Sequence, residues 1–423
     1  MKTLNKTLLS AVAAVGMIVA GGGATAVAAI PATPVLTSYG PGDHSNNGGT
    51  NNTNGSSGGS HYASGPGAVN NDSGYRNYQN AHTDNRVGSS AINNAGPTSS
   101  HSTQYATGTY GGSSNNTDHG YRNTQRTTAT GPGSTAIASA DAASSRNTQS
   151  TTASGGGVAV NTITNGYRNN TTASARGLGS SSSSNVVSGA DNRTQVTSTS
   201  GGQAAAQVNG SNNNLSANAT NNGIAVSAAN GAGGPTTAGT NNNVSSNANN
   251  GIAFAVGQGN GNSASASASQ TGLGPNSGAF AVTQGNDNSA HAVANGMGSF
   301  AVSLGNGNHT VTNSFASGGG SALSVATGNG SRANSIAIGA NSVAQASADN
   351  GGQANAYARN GGNATAVTTV PGSTATALAI GSTAVASASE TAPNVGNVSA
   401  TCSSSGDRAF AYTTATGAQA CAS

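Results

Sequence analysis

The chain has 423 residues, of which 64 are Gly and only 5% are charged, with aromatics at 4%, no Trp and a formal net charge of +3. Soluble domains carry about 25% charged residues, and Leu, Ile and Phe are too scarce here for a close-packed globular core, so an ordinary enzyme fold is excluded. No basic patch exists to hold a phosphate backbone, which excludes nucleic acid as a partner.

The apolar share is mostly Ala and Val, which at roughly 25 cal/mol per Å² of buried surface offset backbone entropy poorly. The chain is therefore either disordered or held by something more regular than a globular core. In chain order, residues 1–29 read as a secretory signal. Lys2 and Lys6, the only lysines, precede the apolar stretch Leu8 to Ala20, and Ala26-Val27-Ala28 fits an A-x-A cleavage site. No later apolar run is long enough to span a bilayer, so no transmembrane anchor is expected in the mature chain. Residues 30–70, with Asn-Asn-Gly-Gly and Gly-Ser-Ser-Gly-Gly tracts, read as a flexible leader without strand alternation.

Residues 71–200 carry polar repeats. The tetrapeptide Gly-Tyr-Arg-Asn occurs three times, at Tyr75-Arg76, Tyr121-Arg122 and Tyr167-Arg168, at spacings of 46. Ser145-Arg146-Asn147 lies halfway between the last two, and Gln79, Gln104, Gln125 and Gln149 follow at 25, 21 and 24. The unit is about 23 residues, the signature of a repeat architecture. Residues 201–390 use a second consensus of similar period. Phe254-Ala255-Val256 and Phe280-Ala281-Val282 alternate inward and outward positions, then Gln258 and Gln284 precede Gly-Asn-x-Asn turns. Residues 391–423 read as a cap, with Cys402 and Cys421 forming one disulfide in an oxidising compartment or, alternatively, two intermolecular links.

Strand, turn, strand, turn in about 23 residues predicts an all-β fold, a β-solenoid of stacked coils. Stacking places the Gln and Asn of successive units above one another as amide ladders, with Gln125, Gln149, Gln258 and Gln284 as rungs. The Tyr-Arg pairs 75/76, 121/122 and 167/168 have two readings. One is a repeat-locking ladder with Tyr packed on Tyr and Arg bonded to turn carbonyls; the other is an exposed row that contacts glycans or bases.

The repeats of residues 250–310, with Gln258 and Gln284 ahead of their Gly/Asn turns and Asn262-Ser263-Ala264 and Asn288-Ser289-Ala290 after them, resemble curlin repeats. That resemblance implies stacked β-coils in a secreted amyloid fibre. Within residues 335–386, Ser335-Ile336-Ala337-Ile338-Gly339 and Ala379-Ile380-Gly381-Ser382 are similar to the head repeats of trimeric autotransporter adhesins. That resemblance implies a β-roll at a cell surface.

Catalytic constellations are wanting. Gly55-Ser56-Ser57-Gly58-Gly59 matches G-x-S-x-G but lacks the strand and helix of a nucleophile elbow. The seven His show no i, i+4 pair and read as surface positions, Glu390 is the single Glu, and Asp287 alone cannot make a calcium turn. No enzyme activity, cofactor or metal is expected. The expectation is a secreted or cell-surface structural protein that self-associates through its coils into fibre, matrix or coat; the alternative is an extracellular adhesin or glycan-binding solenoid. Partners are then further copies of the chain, with cell-surface glycans or a host surface as the second class.

Overall fold

The computed structural model describes residues 44–53, 58–230, 239–249, 251–269, 277–296, 299–318, 320–339 and 342–422. The expected signal at 1–29 lies outside them. The described residues form 36 strands and no helix. They wind a β-solenoid, each coil contributing one strand to each of two parallel sheets. Contacts divide the chain into two compact units: residues up to Ser188 with Thr194–Ala206, and Gly189–Arg193 with Gln207 onward.

In the first unit one sheet contains Ser60–Ser64, Tyr78–Thr83, Thr103–Thr109, Thr124–Thr130, Thr148–Ser154 and Asn170–Arg176. The facing sheet contains Ala68–Asp72, Ser90–Ala95, Ser113–Asp118, Thr135–Ala140 and Val158–Tyr167. Neighbours in each sheet run parallel and in register, as in Gln104↔Gln125 and Ala136↔Ala159. Ser60 pairs with Tyr78, Tyr78 with Thr103 and Thr103 with Thr124, offsets of 18, 25 and 21 residues. The variation is absorbed in the turns, because slipping a strand by one residue would turn its inward set to solvent.

Inward positions alternate strictly with outward ones, as in Thr103–Thr109. Ala fills much of the interior, with Ala129, Ala136, Ala153, Ala159, Ala173 and Ala175 forming one buried cluster. Such small side chains let the two sheets approach closely. They bury little area each, so continuous backbone ladders and buried amides supply the rest. The stretch expected to be a strandless leader in fact contains Ser60–Ser64 and Ala68–Asp72. Polar residues serve there as core. Asn70 Nδ2 donates to Asn51 Oδ1 (2.8 Å), Asn93 to Asn70 (2.9 Å) and Asn116 to Asn93 (2.8 Å), all buried. An amide row carries no hydrophobic alternation for sequence reading to detect.

In the second unit one sheet runs through Asn214–Thr220, Asn243–Asn249, Ser263–Ser269, Ser289–Asn295, Val311–Ser317, Arg332–Ala337, Gln353–Arg359 and Thr374–Ile380. Strands from Ile224–Asn230 to Val385–Ala392 form the other. The interior is again Ala: Ala253, Ala279 and Ala301 stack in register. Parallel stacking stops at the end of this unit. Arg408–Thr413 pairs antiparallel with Thr374–Ile380, Gly417–Ala422 antiparallel with Arg408–Thr413, and Val395–Thr401 antiparallel with Val385–Ala392. A disulfide between Cys402 and Cys421, with Cα atoms 6.0 Å apart, ties these strands together.

Candidate binding surfaces

Two side-chain ladders build the coils of the first unit. Gln79, Gln104, Gln125 and Gln149 are fully buried in one row. Nε2 of each donates to Oε1 of the next, at 2.8, 2.9 and 2.8 Å. The same nitrogens donate across the interior to the carbonyls of Asn71, Asn94, Thr117 and Ser139. Gln125 and Gln149 are therefore interior rungs, closed to any ligand.

The second ladder runs along a turn and explains the tetrapeptide position by position. A Cβ on Gly120 would lie 2.2 Å from Ser144 O, so only glycine permits that approach between coils. Arg76, Arg122, Arg146 and Arg168 adopt φ of +52°, +55°, +56° and +54°, at about 1–2 kcal/mol each for a side chain with a Cβ. The residue after each arginine turns inward. Ser102 N donates to Asn77 Oδ1, Asn123 N to Ser102 Oγ, Asn147 N to Asn123 Oδ1 and Asn169 N to Asn147 Oδ1, at 2.9–3.2 Å. Buried Asp118 completes the turn, accepting from Gly120 N (3.0 Å) and Asn123 Nδ2 (2.8 Å), and Asp72 does the same for Gly74 and Asn77. Asp two places before the Gly, in Asp72-Ser73-Gly74 and Asp118-His119-Gly120, was the available signal for this.

The tyrosines of the motif point outward, but they do not pack on one another as a Tyr ladder requires. The 46-residue spacing spans two coils, and the coil between supplies another residue. Tyr75 meets His101 edge-on with centroids 5.4 Å apart, and His101 meets Tyr121 at 5.7 Å. Further along, Arg146 Nη1 donates to Tyr167 Oη at 2.7 Å. Arg76, Arg122 and Arg168 each lie over their own tyrosine at 5.0, 5.0 and 4.7 Å.

A different aromatic group forms a concavity of this unit. Tyr62, Ser64, Tyr78, Asn80, His82, Tyr105 and Thr107 line an open dish of about 610 Å³ on the outer face of strands Ser60–Ser64, Tyr78–Thr83 and Thr103–Thr109. Register places Tyr62, Asn80, Tyr105 and Arg126 in one column. Tyr78 leans between its neighbours, 5.8 Å from Tyr62 and 5.5 Å from Tyr105. Arg126 lies over the Tyr105 ring at 5.2 Å. Asp84, just beyond, is already engaged by Ser89 Oγ at 2.5 Å and Tyr110 N at 2.8 Å. The Ser89 hydroxyl first, then the N–H groups of Tyr110 and Arg86, hold its carboxyl below the ordinary range against the opposing effect of burial. One histidine departs from the surface expectation: His61 is fully buried with Nε2 2.9 Å from Asp72 Oδ2.

In the second unit Gln258 and Gln284 are not rungs. They lie in the turn, half-buried and exposed, because each falls after its inward alternation has ended. Asparagines take the role there. Asn213 N donates to Asn192 Oδ1, Asn242 N to Asn213, Asn262 N to Asn242, Asn288 N to Asn262 and Thr310 N to Asn288, at 2.8–3.0 Å.

Each outer face of this unit carries an apolar group of outward side chains. On one, Phe254 stacks on Phe280 at 4.9 Å and Phe280 meets Phe300 edge-on at 5.3 Å, flanked by the outward Ile252, Val256, Val282, Leu323 and Val325. Strands Ile252–Gly257, Gly278–Val282, Phe300–Ser303 and Ser321–Ala326 contain no charged residue. On the other, register aligns Val293, Phe315, Ile336, Tyr357, Leu378 and Phe410 in one outward file. Beside it runs a solvent-facing amide row, Asn334 Nδ2 to Asn313 Oδ1 (2.7 Å) and Asn355 Nδ2 to Asn334 Oδ1 (2.8 Å).

Among the described residues no group of three His, Cys, Asp or Glu is placed to hold a metal ion, and no helix is long and apolar enough to cross a membrane. No family model, no curated protein and no solved structure matches the chain. The class defined is thus the fold itself, a β-solenoid with an alanine interior, amide ladders and an antiparallel, disulfide-tied end.

Proposed function

We propose that the protein is an extracellular structural protein that self-associates into a fibre, matrix or surface coat, by packing the sheet faces of its second unit. The observation that supports this is the uncharged aromatic and aliphatic face around Phe254, Phe280 and Phe300. Four strands about 4.8 Å apart and about 18 Å long make a patch on the order of 300 Å². Flat, contiguous apolar surfaces of this kind mark interaction sites, and face-to-face packing of such sheets is the dry contact of cross-β assemblies.

The second apolar file, Val293 to Phe410, lies on the other sheet of the same unit. A copy that packs a different face on each side makes a heterologous contact, which extends into an open assembly wherever its rotation does not close a ring. Coil-on-coil growth is disfavoured at the Cys402–Cys421 end, where the parallel register has given way to antiparallel strands. Lateral association is therefore the favoured route. The disulfide and the signal-like start of the sequence favour an extracellular location.

Sedimentation velocity and negative-stain electron microscopy of the disulfide-intact protein test the proposal. The wild type assembles, and a Phe280→Lys, Val325→Lys double variant stays monomeric with an unchanged circular dichroism spectrum. A wild type that remains monomeric at high concentration, or a double variant that assembles normally, would refute it.

A further inference from the structure

The aromatic dish of the first unit is independent of the self-association surface, and its composition is not explained by packing. Later strands of the same sheet carry Arg126 and Ser150 in the column where Tyr105 stands, and Thr128 and Thr152 beside them, and they stack without an aromatic. Three tyrosines therefore crowd one face at positions where the coil does not need them. Tyr62, Tyr78 and Tyr105 present tilted rings 5.5–5.8 Å apart, and all three are half-buried.

The polar groups of the dish are uncommitted. The three phenol hydroxyls, the Asn80 amide and the His82 ring make no hydrogen bond to the described residues, whereas the amide nitrogens beneath them, Nε2 of Gln79 and Gln104, each donate two. No carboxylate lines the surface. Arg126, at the rim over Tyr105, has no ion pair among the described residues. Aromatic walls with a few convergent polar groups are the usual composition of a small-molecule or sugar site.

We propose that this dish binds the carboxylated pyranose of an acidic glycan. The ring's C–H face stacks on Tyr78 and its neighbours. The phenols, Asn80 and His82 exchange hydrogen bonds with the sugar hydroxyls, and Arg126 takes the carboxylate in a charge-assisted, bidentate pair. A single-stranded nucleic acid also stacks on tyrosines, but it needs cations along its whole backbone, and among the described residues Arg126 is the only arginine over a ring of the dish.

The test is titration of the full chain, disulfide intact, with a hexuronate oligosaccharide, a neutral hexose oligosaccharide of equal length and oligo(dT), followed by calorimetry and tyrosine fluorescence. The self-association variant Phe280→Lys, Val325→Lys is titrated alongside, so that failure of one proposal is not taken for failure of the other. Saturable hexuronate binding is expected in both proteins. Tyr78→Ala and Arg126→Gln each weaken it by about tenfold or more, and Tyr78→Phe retains most of it, all with unchanged circular dichroism. Absence of saturable hexuronate binding, equal binding of the neutral oligosaccharide with no effect of Arg126→Gln, tighter binding of oligo(dT), or indifference to Tyr78→Ala each overturns the proposal.

Discussion

Replacing Gln125 by Leu removes the central rung of the buried glutamine ladder while keeping most of its volume. Three bonds go: the donations from Nε2 to Gln149 Oε1 (2.8 Å) and Thr117 O (2.8 Å), and the acceptance from Gln104 Nε2 (2.9 Å). Leucine makes none of them, so an N–H of Gln104 and the Oε1 of Gln149 lose their ladder partners in a site sealed from water. A buried polar group left unsatisfied costs about 1–3 kcal/mol, so the variant loses about 2–6 kcal/mol. Gln149→Leu is the internal control. Gln149 accepts only from Gln125 within the ladder, and the next residue in register is Thr171, so only one ladder group is orphaned and the loss is about half as large. Urea unfolding followed by tyrosine emission measures both, because seven of the chain's ten tyrosines lie between residues 62 and 167. Equal losses for the two variants, or losses below about 1 kcal/mol for both, would show that the row of amides does not hold the coils together.

Two further outcomes follow from the turn ladder and the cap. Asn262→Ala takes away the acceptor of Asn288 N (3.0 Å) and the donor to Gly285 O (2.8 Å). Hydrogen exchange at the Asn288 amide then accelerates by about tenfold for each 1.4 kcal/mol lost, whereas exchange within the first unit is unaltered. At the cap, Asp407 accepts from the Thr383 hydroxyl and from Ser404 N (3.1 Å). The Thr383 bond first, then the N–H groups of Ser404 and Ser403, hold its carboxyl below the ordinary range although burial opposes them. A depressed folded-state value means that the contribution is fully present above the unfolded value of about 3.9 and is lost as pH falls through the folded one. Acidification below about pH 4 thus loosens the antiparallel cap, seen as faster exchange in Arg408–Thr413. Asp407→Asn removes that pH dependence; an unchanged acid response in the variant would assign it to another group.

The period of the coils, their all-β character and the disulfide-tied end are legible from residues alone. Gln79, Gln104, Gln125 and Gln149 recur at the coil length on the inward phase of an alternating pattern, and a row of identical side chains stacks on itself whatever the surroundings. Gln258 and Gln284 show the limit of that reasoning. They recur just as regularly, but one or two residues past the strand, where the backbone turns outward, and phase within the coil is a property of the folded turn.

The strands between 44 and 72 escaped detection because their inward residues include Asn51, Asn70 and His61, which carry no hydrophobic signal until neighbours satisfy them. The aromatic dish was hidden for a related reason. Tyr62, Tyr78 and Tyr105 are separated by 16 and 27 residues, neither of them the period, and they meet only because turns of unequal length place Tyr78 between its neighbours on one face. Repetition is local arithmetic and can be counted along the chain. Which residues of successive coils share a face depends on where each turn stores its extra residues, and that is settled only when the coils stack.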